Sequence, residues 1–73
     1  MKNSPETYLQ AIGANLMALR AILTTAIKDI NHGLEAVEQG SQNGAVGSII
    51  PTDDLLKQAG ILIQAIIVLH RQN

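Results

Sequence analysis

Residues 55–69, LLKQAGILIQAIIVL, are too apolar for one neighbouring helix to cover. A helix steps about 100° per residue, which places Leu55, Leu56, Ala59, Leu62, Ile63, Ile66, Ile67 and Leu69 on one broad arc. That arc is wider than the stripe a core-facing helix usually presents. Ile61, Ala65 and Val68 form a second, narrower stripe on the far side, among Lys57, Gly60, Gln64 and Arg71. One helix therefore has two surfaces to bury. A helix crossing a bilayer needs roughly 20 apolar residues. This run is interrupted by Gln64 and flanked by Lys57 and His70, so membrane insertion is the weaker reading.

The burial problem is sharpened by size. At 73 residues the chain is one domain at most, near the size where a single core contributes only about 3–5 kcal/mol. It contains no cysteine, so disulfides and thiolate zinc sites are excluded as staples. Oligomerisation is the staple that remains.

Five Lys and Arg against six Asp and Glu give no basic cluster to neutralise phosphates. Tyr8 is the sole aromatic residue, which removes the stacking platforms of single-strand and RNA binders. Nucleic acid is not an expected partner. The polar N-terminus MKNSPETYLQ runs straight into an amphipathic pattern, so no secretory signal is expected and a cytoplasmic location is the default.

Ser4-Pro5-Glu6 reads as a helix start, with a hydroxyl cap, a proline suited to the first turn and a carboxylate at the positive end of the dipole. Leu9, Ile12, Leu16, Leu19, Leu23, Ala26, Ile30, Gly33 and Val37 then recur at alternating steps of three and four. This is the a/d seam of a coiled coil, widened by Ile27 and Leu34. Ala11, Ala14, Ala18 and Ala21 line the back, where they either permit close approach or reflect alanine's helix propensity. The spacing predicts a helix over about 5–39, ended by Gly40 in the left-handed conformation.

Residues 40–51, GSQNGAVGSIIP, read as a glycine-rich loop, longer than the usual helix–helix link of about 2–8 residues. Ala45, Val46, Ile49 and Ile50 are too apolar for a floating linker, so the loop is expected to lie back on the bundle. Thr52 followed by Asp53 and Asp54 then predicts a second start, with Asp53 and Lys57 paired at i, i+4. The second helix is expected over about 53–71, roughly 30 Å long against roughly 50 Å for the first.

No catalytic, cofactor or metal set emerges. Asp29, His32 and Glu35 fall at i, i+3 and i+6, loosely like the Glu-x-x-His pairs of di-iron bundles, but the second helix has no carboxylate beyond its first turn. His70 reads as a capping or interface residue at a helix end. Ser4, Ser41 and Ser48 lack a base to activate them, and Gly40, Gly44 and Gly47 lack the lysine of a phosphate loop.

The resulting expectation is an all-α helical hairpin that self-associates, most simply as a dimeric four-helix bundle. Its expected function is that of a small non-enzymatic interaction module, an adaptor, regulator or co-chaperone, partnered by itself and by another helical protein. The interface is expected to draw on Ile61, Ala65 and Val68, on Leu62, Ile66 and Leu69 of the broad arc, and on Leu16, Leu23 and Ile30 of the first helix. A heptad helix, a Gly-containing connection and an Ile-rich second helix give a layout similar to the short hairpin co-chaperones that hold type III secretion needle subunits. The resemblance is one of pattern and implies a co-chaperone role, with no binding residue carried over. The rival from another class is a membrane-surface or holin-like small protein using the apolar second helix. It should carry a Lys/Arg-rich polar face and interfacial Trp or Phe, and both are missing.

Overall fold

The computed structural model describes residues 5–72, so the expected Ser4 cap lies outside the described residues. Two helices account for nearly all of it: α1, Pro5–Glu38, and α2, Gln42–Gln72. They pack antiparallel along their length into a rod of 58 × 15 × 12 Å. The expected all-α hairpin is present.

The turn between them, residues 39–41, is three residues long, and all three of its N–H groups donate back to carbonyls of α1. Gly40 has φ +76°, the left-handed conformation expected of it. Its N–H donates to the Val37 carbonyl at 3.0 Å, and the Ser41 N–H donates to the Ala36 carbonyl at 2.8 Å. This pair of bonds is a Schellman motif, which closes the carbonyl end of α1. Ser41 then opens α2 without a spacer. Its Oγ accepts from the Gly44 N–H at 3.0 Å, and its carbonyl accepts from the Ala45 N–H at 3.0 Å, as an N-cap does.

Two sequence expectations fail here. The loop over 40–51 is helix from Gln42 onward, and the second start at Thr52 is instead a helix interior. The two helices are consequently close in length, 34 and 31 residues. What holds 42–51 helical is contact with α1. A Cβ built on Gly44 would stand 3.3 Å from the Ala36 Cβ and 2.7 Å from the Ser41 Oγ, so glycine is what lets the first turn of α2 settle against α1. Pro51 has no N–H for the Gly47 carbonyl, a defect that in a helix interior costs about 3 kcal/mol. Gly47 is exposed, so water can take that carbonyl.

The seam is also displaced from its expected phase. Ile12, Leu19, Ala26 and Gly33 do face α2, but the second inward row is Tyr8, Asn15, Ile22, Asp29 and Ala36. The expected row, Leu9 through Val37, lies one residue further round and is exposed. The turn sets this phase. By placing Ala36 against Gly44 it makes Ala36, not Val37, the first residue of the seam, and steps of seven back from Ala36 reach Asp29, Ile22, Asn15 and Tyr8. On α2 the matching rows are Ala45, Thr52, Ala59 and Ile66 with Ser48, Leu55, Leu62 and Leu69.

Register follows from these contacts. Thr52 Oγ1 donates to Asp29 Oδ2 at 3.5 Å, a long bond near the limit of the interaction. A Cβ on Gly33 would lie 3.4 Å from the Ala45 carbonyl oxygen and 3.9 Å from the Ser48 Cβ. Polar seam residues are also satisfied within their own helices: Asn15 Nδ2 donates to the Ala11 carbonyl at 2.9 Å, and Ser48 Oγ donates to the Gly44 carbonyl at 2.8 Å.

If 42–51 is helical, Gly47→Ala should raise stability by about 0.5–1 kcal/mol, because its Cβ meets open space. Gly40→Ala should lower it by about 1–2 kcal/mol, because an L-residue is strained at that φ. Urea titration at one fixed chain concentration checks both. No gain at Gly47 would return that segment to the loop expected from sequence.

Candidate interaction surface

The hairpin fully buries none of its large apolar residues among the described ones and leaves many of them exposed. Among the described residues the buried set is Ala26, Ala59 and Thr52, at 4, 5 and 6% exposure, two alanines and a threonine. Leu9 and Val37 are 69 and 61% exposed, and Leu16, Leu23 and Ile30 between them are also exposed. On α2 the equivalent exposed residues are Ile49, Leu56 and Ile63.

These two stripes lie on one side of the hairpin, as helix geometry requires. Each stands one residue past an inward row: Leu16 follows Asn15 and Leu23 follows Ile22 on α1, while Leu56 follows Leu55 and Ile63 follows Leu62 on α2. An antiparallel pair has a pseudo-twofold axis normal to its plane, and that axis keeps equivalent displacements from the seam on the same side. Ile27 and Leu34 of α1 and Val46 of α2 extend the same side outward, all exposed. The result is an apolar face about 40 Å long, from Leu9 to Val37 at 1.5 Å per residue. Arg20 at its edge, Asp53 in the row of Val46 and His70 at its end are the charged or titratable groups along these rows.

The opposite side differs between its two halves. Near the turn it carries Thr25, Lys28, His32, Glu35, Asp54 and Gln58. Near the open end it carries Ala11, Ala14 and Ala18 of α1, with Ile61, Ala65 and Val68 of α2. Ile61 and Val68 are exposed, and Ala65 is half-buried.

The sequence-derived interface residues thus separate into three groups. Leu16, Leu23 and Ile30 belong to the long apolar face. Leu62, Ile66 and Leu69 point along the seam and are partly covered by α1. Ile61, Ala65 and Val68 lie on the opposite side, away from the first group. Ile49, Leu56 and Ile63 belong to the long face as well. Their seven-residue spacing across Pro51 was the available signal, hidden while 40–51 read as a loop.

Chemistry-bearing side chains are not gathered. Among the described residues no group of three or more His, Cys, Asp or Glu residues converges, and no cavity is present. Asp29 turns to the seam toward Thr52, while His32 and Glu35 are exposed. The Lys57–Asp53 ion pair forms at 3.2 Å with both side chains largely exposed, a geometry that contributes little.

Comparison with protein-family models, curated proteins and solved structures yields no match for this chain. By length and composition alone α1, over Glu6–Glu38, is long and apolar enough to cross a membrane. This is a different helix from α2, on which the sequence alone puts the membrane alternative.

Substitutions on α1 separate seam from surface. Ala26→Leu forces a large side chain into the closed seam and should cost about 1–3 kcal/mol, whereas Ala18→Leu, on an exposed position, should stay within about 0.5 kcal/mol. Denaturant midpoints of the two variants give the comparison. Equal costs would mean that the seam phase is misassigned.

Proposed function

We propose that the chain is a small non-enzymatic protein–protein interaction module that works as a self-associated helical bundle, most simply a dimer of hairpins. The observation behind this reading is surface. The hairpin exposes 5633 Å², whereas a folded monomer of 7.8 kDa exposes about 4,400 Å² by the usual scaling. The excess, about 1,200 Å², is more than the roughly 800 Å² that each partner buries in a standard interface. An isolated hairpin with two buried alanines as its apolar core has little to set against chain entropy. A second layer of helices supplies what it lacks.

In this reading the long apolar face makes the assembly. The smaller patch around Ile61 and Val68 stays outward, available to another helical protein, and the adaptor, regulator or co-chaperone role would be carried there. The cytoplasm is its proposed setting, resting on the sequence alone. A membrane-surface role has one observation in its favour, the length and apolarity of α1. Against it stands the near absence of cations and aromatic anchors around the face.

Sedimentation equilibrium with circular dichroism across a dilution series tests the reading. Helicity and thermal midpoint should rise together with concentration, because folding and association are linked by mass action. A well-folded monomer at low micromolar concentration would sink the proposal. Flotation with neutral and anionic lipid vesicles checks the rival, and the dimer is expected to stay in the aqueous fraction.

A further inference from the structure

The same face also carries information about how a second copy would sit on it. Two face-to-face arrangements satisfy twofold symmetry. In one the two turns lie at the same end and α1 of each copy rests on α2 of the other. In the second the turns lie at opposite ends, and each helix rests on its own counterpart, antiparallel.

The stripes discriminate between them by what each residue meets. With the turns at the same end, Leu16, Leu23 and Ile30 meet Ile63, Leu56 and Ile49 of the other copy. The ends then mismatch: Leu9 faces His70, and Val37 faces Gln42. Leu9 and Val37 are among the most exposed apolar residues of the molecule, so that arrangement sets polar groups against the residues most in need of cover. With the turns at opposite ends, Leu9 meets Val37, Leu16 meets Ile30, and Leu23 meets its own copy. On α2, Ile49 meets Ile63, Leu56 meets its own copy, and the polar ends Gln42 and His70 meet each other. Every apolar position of the two stripes opposes an apolar one.

A single axis must serve both stripes, and the register of the hairpin allows it. Thr52 stands level with Asp29 and Ser48 with Gly33, so Leu56 stands level with residue 25 of α1. That is two residues from Leu23, or about 3 Å along the axis. Both stripes are therefore centred at nearly the same height.

We infer that a second copy of this chain docks on the face formed by the Leu9–Val37 and Ile49–Ile63 stripes, antiparallel, with the two hairpin turns at opposite ends. The inference rests on the self-association proposed above and adds the partner's orientation. Its area argument is the same: the surface in excess of a compact monomer suffices for one standard interface per copy.

The chain has no native cysteine, so Gln39→Cys carries one nitroxide label on the exposed turn, outside both stripes. Electron–electron dipolar spectroscopy on the labelled protein then reads the turn-to-turn distance, and sedimentation of the same sample reads its mass. The expected result is a dimer with a distance of about 50 Å, from the seventeen or so residues at 1.5 Å that separate the turn from the Leu23 level on each side. A dimer with a distance near 20 Å, about two helix diameters, overturns the orientation while leaving self-association standing. A monomeric mass overturns both.

Discussion

Two helices joined by a three-residue turn can meet only along the faces that the turn presents to each other. Here the turn brings Ala36 against Gly44, and that contact fixes the phase of everything beyond it. Counting back along α1 in sevens gives an inward row of Asp29, Ile22, Asn15 and Tyr8. The neighbouring row of Leu9, Leu16, Leu23, Ile30 and Val37, apolar throughout, is turned to the side. Small and polar residues thus share the closed seam with half-buried Ile12, Leu19, Ile22, Leu55 and Leu62, and the neighbouring apolar row is left for something else. The exposed face follows from the phase that the turn imposes.

Periodicity made the helices legible but could not assign their neighbours. Ile12, Leu19, Ala26 and Gly33 belong to either phase of the seam. Completed by the row of leucines they predict one inward face, and completed by Asn15 and Asp29 they give the observed one. Apolarity favours the first choice, because it measures how much a residue gains from leaving water and says nothing about whether its own chain or another covers it. The same ambiguity runs through the broad arc of α2, where Leu55 and Leu62 point inward while Leu56 and Ile63 beside them are exposed. Gly40 was legible because a left-handed C′ position demands a residue without a Cβ.

The first third of α2 departs from the loop expected there for a different physical reason. Gly44, Gly47 and Pro51 are all poor helix residues, and propensity is a weak prior that tertiary context overrides. Three observations do the overriding here: the Ser41 cap, the fit of Gly44 against Ala36, and the continuation of the seam spacing from Thr52 back to Ala45. Thr52, which from sequence looked like a cap, is instead buried beside Asp29. A cap and a seam threonine look alike until the residues before them are known to be helical.

Among the described residues no buried side-chain polar atom is left without a partner. Asn15 and Ser48 bond to their own helices, and Thr52 reaches across to Asp29. Among its side chains, what is left to be covered is therefore apolar area. Hydrophobic burial is non-directional, so area can favour a second layer of helices without saying how that layer is turned. Direction has to come from where the apolar rows stop. On α1 the row runs nearly the full length of the helix, while on α2 it ends at Gln42 and His70. This difference in length between two otherwise matched stripes favours one way of pairing two copies, because only like rows end at the same places. The polar residues at the ends of the α2 stripe thus fix orientation while the leucines supply the attraction, a division of labour familiar from coiled coils, where single polar positions set register at some cost in stability.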